Sequence, residues 1–127
     1  MKYLFTLSII LLVINCKDKK SIDLLLHNNA KKKWDLIQYN NHRFEEIVKV
    51  WEFRQDGNMY RFRVNAQGQL VKEDFGDQVF DDTYELRVND KEELFIDMYS
   101  TSYLVEKITT DTLVLLNKDL KYVFESR

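Results

Sequence analysis

From residue 34 onward, apolar and polar residues alternate with a period of two through most of the chain. That is the spacing of strands with one buried face. Trp34, Leu36 and Gln38 fall on one side of the first run, with Asp35, Ile37 and Tyr39 on the other. Residues 47–54 predict a second strand, setting Trp51 and Phe53 against Glu52 and Arg54. Gln55-Asp56-Gly57-Asn58 predicts a hairpin turn, because Asp-Gly tolerates the positive φ angles that tight turns need. Residues 59–64 return, with Tyr60, Phe62 and Val64 opposite Arg61 and Arg63. A turn at residues 65–68 leads to a short strand at Leu70-Val71 and an acidic loop over residues 73–82. Runs at 83–88, 94–98, 103–108, 112–116 and 122–124 complete the set, with polar turns between them. About eight strands with short connections predict an all-β fold, an antiparallel sandwich or up-and-down barrel. A barrel of that size is filled by its own side chains or holds one small ligand.

Ahead of the strands the pattern changes twice. Residues 22–27, Ile-Asp-Leu-Leu-Leu-His, predict a short helix capped by Ser21, with Asp23 near its positive end and a stop at Asn28-Asn29. Before it, Met1-Lys2 opens an uncharged, mostly apolar run of 12 residues, 3–14. This length suits a signal-peptide core and falls short of the roughly 20 residues of a membrane-spanning helix. The run ends at Asn15-Cys16, with no alanine before Ala30. Val13-Ile14-Asn15-Cys16 resembles the lipobox of bacterial lipoprotein signal peptides, although Asn15 stands where Ala, Gly or Ser is usual and Val13 where Leu is usual. The resemblance implies that the Cys16 thiol receives diacylglycerol and becomes the new N-terminus. It implies a location in the cell envelope, lipid-anchored to a bacterial membrane, the outer membrane being the expected one. Two or more acyl chains hold stably where one does not. The expected division is residues 1–15 as signal peptide, 16–20 as lipidated tether and 21–127 as the folded domain.

The folded part carries a second resemblance. A Leu-rich helix runs into Trp34-Asp35-Leu36, and Trp51-Glu52-Phe53 precedes the Asp56-Gly57 hairpin. Tyr84-Glu85-Leu86, Leu94-Phe95-Ile96, Ile108-Thr109-Thr110-Asp111-Thr112-Leu113 and Tyr122-Val123-Phe124 follow in order. This arrangement resembles the lipocalin-like lipoproteins of Bacteroidota across roughly residues 21–126. It implies a calycin-type antiparallel barrel behind a lipid anchor, a shape more than an activity. The strand count and the aromatic residues carry the leading expectation, a non-enzymatic domain that binds a small hydrophobic ligand. The alternative is an envelope protein-interaction or protective accessory lipoprotein without a small-molecule ligand.

Composition narrows the chemistry. Hydrophobic residues make up 45% of the 127 and charged residues 31%, an ordinary globular balance. Without residues 1–15 the chain loses only Lys2, leaving 18 basic and 21 acidic side chains, a net charge of −3. No attraction to nucleic acid follows from that balance. A single cysteine forms no internal disulfide, so the core alone stabilises the domain. No cofactor motif is present, and a monomer is expected.

The 13% aromatic content falls inside strand-like runs. It suggests either a closed core or a ring-lined cavity with polar tips. The candidate lining residues are Trp51, Phe53, Tyr60, Phe62, Tyr84, Tyr103 and Tyr122. His27 and His42 lie far apart, which disfavours a catalytic or zinc site. Glu73, Asp74, Asp77, Asp81 and Asp82 match no calcium-loop spacing and read as a solvated acidic loop. Lys31-Lys32-Lys33 reads as a solvated helix exit, or as a contact with anionic lipid headgroups near the anchor.

Overall fold

The computed structural model describes residues 18–73 and 82–127. Cys16 and the signal segment therefore lie outside the described residues, as do Asp74, Asp77 and Asp81 of the acidic loop. No helix among the described residues is long and apolar enough to cross a membrane.

The described residues begin with one helix, α1 (Lys19–His27). It starts earlier than its apolar run implies, because Asp18 rather than Ser21 is the cap. The Asp18 side chain accepts from the Lys20 amide at 3.2 Å, and Ser21 Oγ donates to the same carboxylate. Lys19 and Lys20, expected in the tether, thus belong to the first turn. Asn28 and Asn29 end the helix with φ of 54° and 65°, as their capacity for left-handed backbone allows.

Ten strands follow among the described residues, against about eight expected: β1 (Lys31–Tyr39), β2 (His42–Arg43), β3 (Lys49–Arg54), β4 (Met59–Val64), β5 (Leu70–Lys72), β6 (Glu85–Val88), β7 (Leu94–Met98), β8 (Thr101–Ile108), β9 (Thr112–Asn117) and β10 (Leu120–Ser126). The additions are short. His42, expected in a loop, lies in the two-residue β2, which pairs with the end of β1.

All pairings are antiparallel, in the order β5-β4-β3-β1-β10-β9-β8-β7-β6. The result is an all-β half-barrel. Strand β5 covers only residues 62–64 of β4, and the uncovered start of that strand meets the approach to β6. There Asn58 and Thr83 form a bridge, with the Met59 amide donating to the Asp82 carbonyl and the Tyr84 amide to the Gly57 carbonyl, both at 3.0 Å.

The concave side is packed. Trp34, Phe53, Met59, Ile96, Leu113, Leu115 and Phe124 are fully buried there, joined by Leu26 of α1. Each such side chain contributes roughly 1.5–3 kcal/mol relative to exposure. The helix packs on β1, β3 and β6 and closes one end of the half-barrel. Trp34 Nε1 donates to the Leu26 carbonyl at 3.1 Å, tying the end of α1 to the core.

Two of the three lysines before Trp34 are held by partners within the domain while staying partly exposed. Lys32 Nζ donates to the carbonyls of Leu25 (3.2 Å) and Thr110 (2.7 Å) and sits 4.4 Å above the Trp34 ring. Burial lowers its pKa. Lys33 pairs with Glu52 at 3.0 Å.

Candidate ligand-binding mouth

The register of β3 against β4 decides which side chains face inward. Trp51 lies opposite Arg61 and Phe53 opposite Met59, while Val50 lies opposite Phe62 and Glu52 opposite Tyr60. Residues directly opposite in an antiparallel pair share a face. Trp51, Phe53, Met59 and Arg61 therefore face the core. Tyr60 and Phe62 face the other way and do not share the space of Trp51, which corrects the grouping expected from the alternation. Tyr60 lies under the cations of Arg54 and Lys72, each 4.5 Å from its ring.

The five other expected lining residues all point inward, in two groups. Phe53 and Tyr84 meet edge to face at 5.0 Å beside the helix. The Tyr84 hydroxyl donates to Asp23 at 2.5 Å, and burial together with that carboxylate pushes its pKa up. Trp51, Tyr103 and Tyr122 meet one residue pair further from the helix. Trp51 is 5.5 Å from Tyr103 and 6.0 Å from Tyr122, and the two tyrosine rings are 5.7 Å apart. Phe124 backs Trp51 at 4.7 Å.

Three residues join this second group that the alternation had placed elsewhere or left unnoticed. Tyr39 stands 5.2 Å from Tyr122 because a bulge between Leu36 and Gln38 shifts the β1 register against β10. One extra residue moves Tyr39 from the outer set of β1 to the Tyr122 side. Tyr99 follows β7 with φ of 51°, next to Ser100 with φ of 58°. Its hydroxyl lies 2.9 Å from Asp82 Oδ1 and 3.1 Å from the Met59 carbonyl, donating between them.

Arg61 is the third. Its guanidinium carbon is 4.2 Å from the Trp51 ring centre, 4.5 Å from Tyr99 and 5.8 Å from Tyr103. One Nη donates to the Tyr103 hydroxyl at 3.0 Å, and the buried Nε makes no hydrogen bond. The sequence signal for Arg61 was only its cross-strand position relative to Trp51. Burial raises the Tyr122 pKa, helped by Tyr103 and Tyr39, so its hydroxyl stays protonated at neutral pH. Phe44, Tyr99, Tyr122 and Val105 are half-buried against the core, and the half-buried Tyr99 and Tyr122 mark the side of the Trp51 cluster that forms the candidate mouth.

The histidines serve other ends. His27 Nδ1 accepts from the Asn29 amide at 3.0 Å, so Nε2 carries its hydrogen toward Asp23, 3.3 Å away. The His42 ring packs edge to face on Phe44. No cluster of three or more His, Cys, Asp or Glu that could hold a metal occurs among the described residues. Of the acidic positions within them, Glu73 pairs with Lys49, and Asp82 pairs with Lys72 at 3.0 Å. On the convex side, Phe95, Leu104 and Leu116 line a groove of about 550 Å³ with Ser102 and Asn117.

Comparison with solved structures fits this architecture. A lipocalin-like protein from Bacteroides uniformis superposes with a TM-score of 0.54 at 18% identity, over 77% of this chain and 97% of its own. The fold is lipocalin-like. An uncharacterized protein from Bacteroides eggerthii shares it, with a TM-score of 0.53 at 17% identity over 75% of this chain and 97% of its own. No model of a protein family and no curated protein matches the chain. In this lipocalin-like half-barrel, the mouth around Trp51 and Arg61 is the place where inward aromatic rings and polar tips come together.

Proposed function

We propose that this chain is a non-enzymatic, membrane-anchored lipoprotein whose lipocalin-like domain binds a small, largely apolar ligand at the Trp51–Tyr103–Tyr122 mouth. The observation that supports it is the convergence of these three rings on the inner face, with Tyr122 and Tyr99 only half-buried. Aromatic walls with a few placed hydroxyls suit a ligand that is apolar with one polar end. The packed layer of Phe53, Met59 and Leu113 beneath limits the depth available, so the ligand is small. The anchor reading rests on Cys16 at the end of the apolar run 3–14. It places the domain at a bacterial membrane surface, expected to be that of the outer membrane.

The test is titration of the full-length chain with the uncharged fluorophore N-phenylnaphthylamine, followed by energy transfer from tryptophan. Saturable binding that Tyr122→Ala weakens about tenfold or more, and Phe95→Ala leaves unchanged, is the expected result. Non-saturable binding, or loss only with Phe95→Ala in the convex groove, would remove the reading. For the anchor, a radiolabelled lipid precursor should mark wild-type cells and not Cys16→Ser; equal labelling of both overturns it.

A further inference from the structure

Arg61 is half-buried on the inner face and lacks a counterion among the described residues. Arg54, Arg87 and Arg127 each pair with a carboxylate, Glu52, Asp97 and Asp35 respectively. Among the described residues no carboxylate pairs with Arg61. Its surroundings are instead the faces of Trp51 and Tyr99 and the hydroxyl of Tyr103. Ring faces cover a guanidinium from above and below, while at its edge the Tyr103 hydroxyl accepts from one Nη and the buried Nε has no acceptor among the described residues.

The charge around it is mostly positive, and the nearby carboxylates, Glu73 and Asp82, are engaged by Lys49, Lys72 and Tyr99. The next positions outward on the same face of β3 and β4 are Lys49 and Arg63, which lie directly opposite each other. Lys49 pairs with Glu73, and Arg63 has no ion pair among the described residues. Three cations thus share this face. A partly buried cation without a counterion is costly, and a bound anion relieves the cost. The Tyr103 hydroxyl accepts from Arg61 and so keeps its own hydrogen to donate to the same anion.

We propose that Arg61 anchors the carboxylate head of an amphiphilic ligand, with Tyr103 as a second donor and the aromatic rings holding the apolar tail. A planar carboxylate matches the guanidinium fork better than a spherical anion does. The rings of Trp51, Tyr99 and Tyr122 around Arg61 disfavour a small inorganic ion, which has nothing to bury there. This inference rests on the ligand-binding reading above and names the class of ligand.

Octanoate and octanol share a tail and differ in the head, and both can be titrated into the full-length chain by calorimetry. Octanoate is expected to bind about tenfold more tightly than octanol. Arg61→Gln should remove that preference while leaving octanol binding in place, and Tyr103→Phe should weaken octanoate alone by a few-fold. If Arg61→Gln does not fold, Arg61→Lys keeps the charge, loses the fork and should reduce the preference without abolishing it. Equal affinity of the wild type for both compounds, or a preference that survives Arg61→Gln, overturns the head-group assignment and leaves the apolar site standing. Binding of neither compound overturns both.

Discussion

At the scale of single residues, the convex side holds the most consequential charge. Glu52 is only 1% exposed, yet it faces outward on β3 beneath Tyr60. Burial by itself would raise the pKa of its carboxyl. Hydrogen bonds from Arg54 at 2.7 Å and Lys33 at 3.0 Å outweigh that effect and hold it below the usual glutamate range. A carboxyl with a depressed folded pKa stabilises the fold fully above its unfolded value, about 4.3, and loses that contribution as pH falls through the folded value. Glu52→Gln should therefore cost roughly 2 kcal/mol at pH 7, since two cations lose their acceptor next to a buried amide. The deficit relative to wild type should shrink below about pH 4. Urea unfolding of both proteins at pH 7 and pH 3 measures this; an identical deficit at both pH values would contradict the pairing.

At the scale of elements, one loop residue decides the faces of the sheet. The Asp56-Gly57 hairpin was legible because few other pairs tolerate its backbone, and Gly57 does take φ of 87°. What the sequence did not show is that Arg54 and Asn58 flank a loop of three residues rather than two or four. With three, Trp51 shares its face with Arg61. With two or four it would share a face with Tyr60 or Phe62, as the apolar alternation suggested. The inward arginine was hidden for the same reason, since alternation assigns a charge to solvent by default. The bulge in β1 moved Tyr39 in the same way, and its sequence carries no glycine to mark it. Helix α1 was read correctly from its Leu run, but what attaches it was not. Its last turn depends on Trp34 Nε1 at the Leu26 carbonyl. Trp34→Phe should leave that buried carbonyl without its donor and open a small void, costing about 2–4 kcal/mol. Amide exchange should rise most in residues 22–28. A uniform rise across β9 and β10 as well would mean that the helix and sheet unfold together, against this assignment.

At the scale of the whole molecule, the all-β class and most of the strand order along the chain were visible as a period of two. The way the sheet curls was not, because no local pattern encodes a contact between residues 58 and 83. Among the described residues two backbone hydrogen bonds cross that seam, from Met59 to Asp82 and from Tyr84 to Gly57. Tyr99 clamps it from β7, its hydroxyl set between Asp82 and the Met59 carbonyl. The Met98-to-Thr101 connection that delivers Tyr99 uses positive φ at two residues other than glycine, a conformation costing roughly 1 kcal/mol or more at each. No glycine, asparagine or aspartate in the connection announces its positive φ angles, and the contacts of Tyr99 on both sides of the seam account for its persistence. The seam also borders the proposed mouth, since Tyr99 stacks on Arg61. Tyr99→Phe keeps the ring and its cation contact while deleting the hydroxyl. Loss of about 1 kcal/mol of local stability should then speed exchange of the Met59 and Tyr84 amides roughly fivefold. Amides in the middle of the β9–β10 pair, away from the seam, should keep their wild-type rates. Unchanged exchange at Met59 and Tyr84 would show that the bridge holds without the clamp, and that the half-barrel closes through its backbone alone.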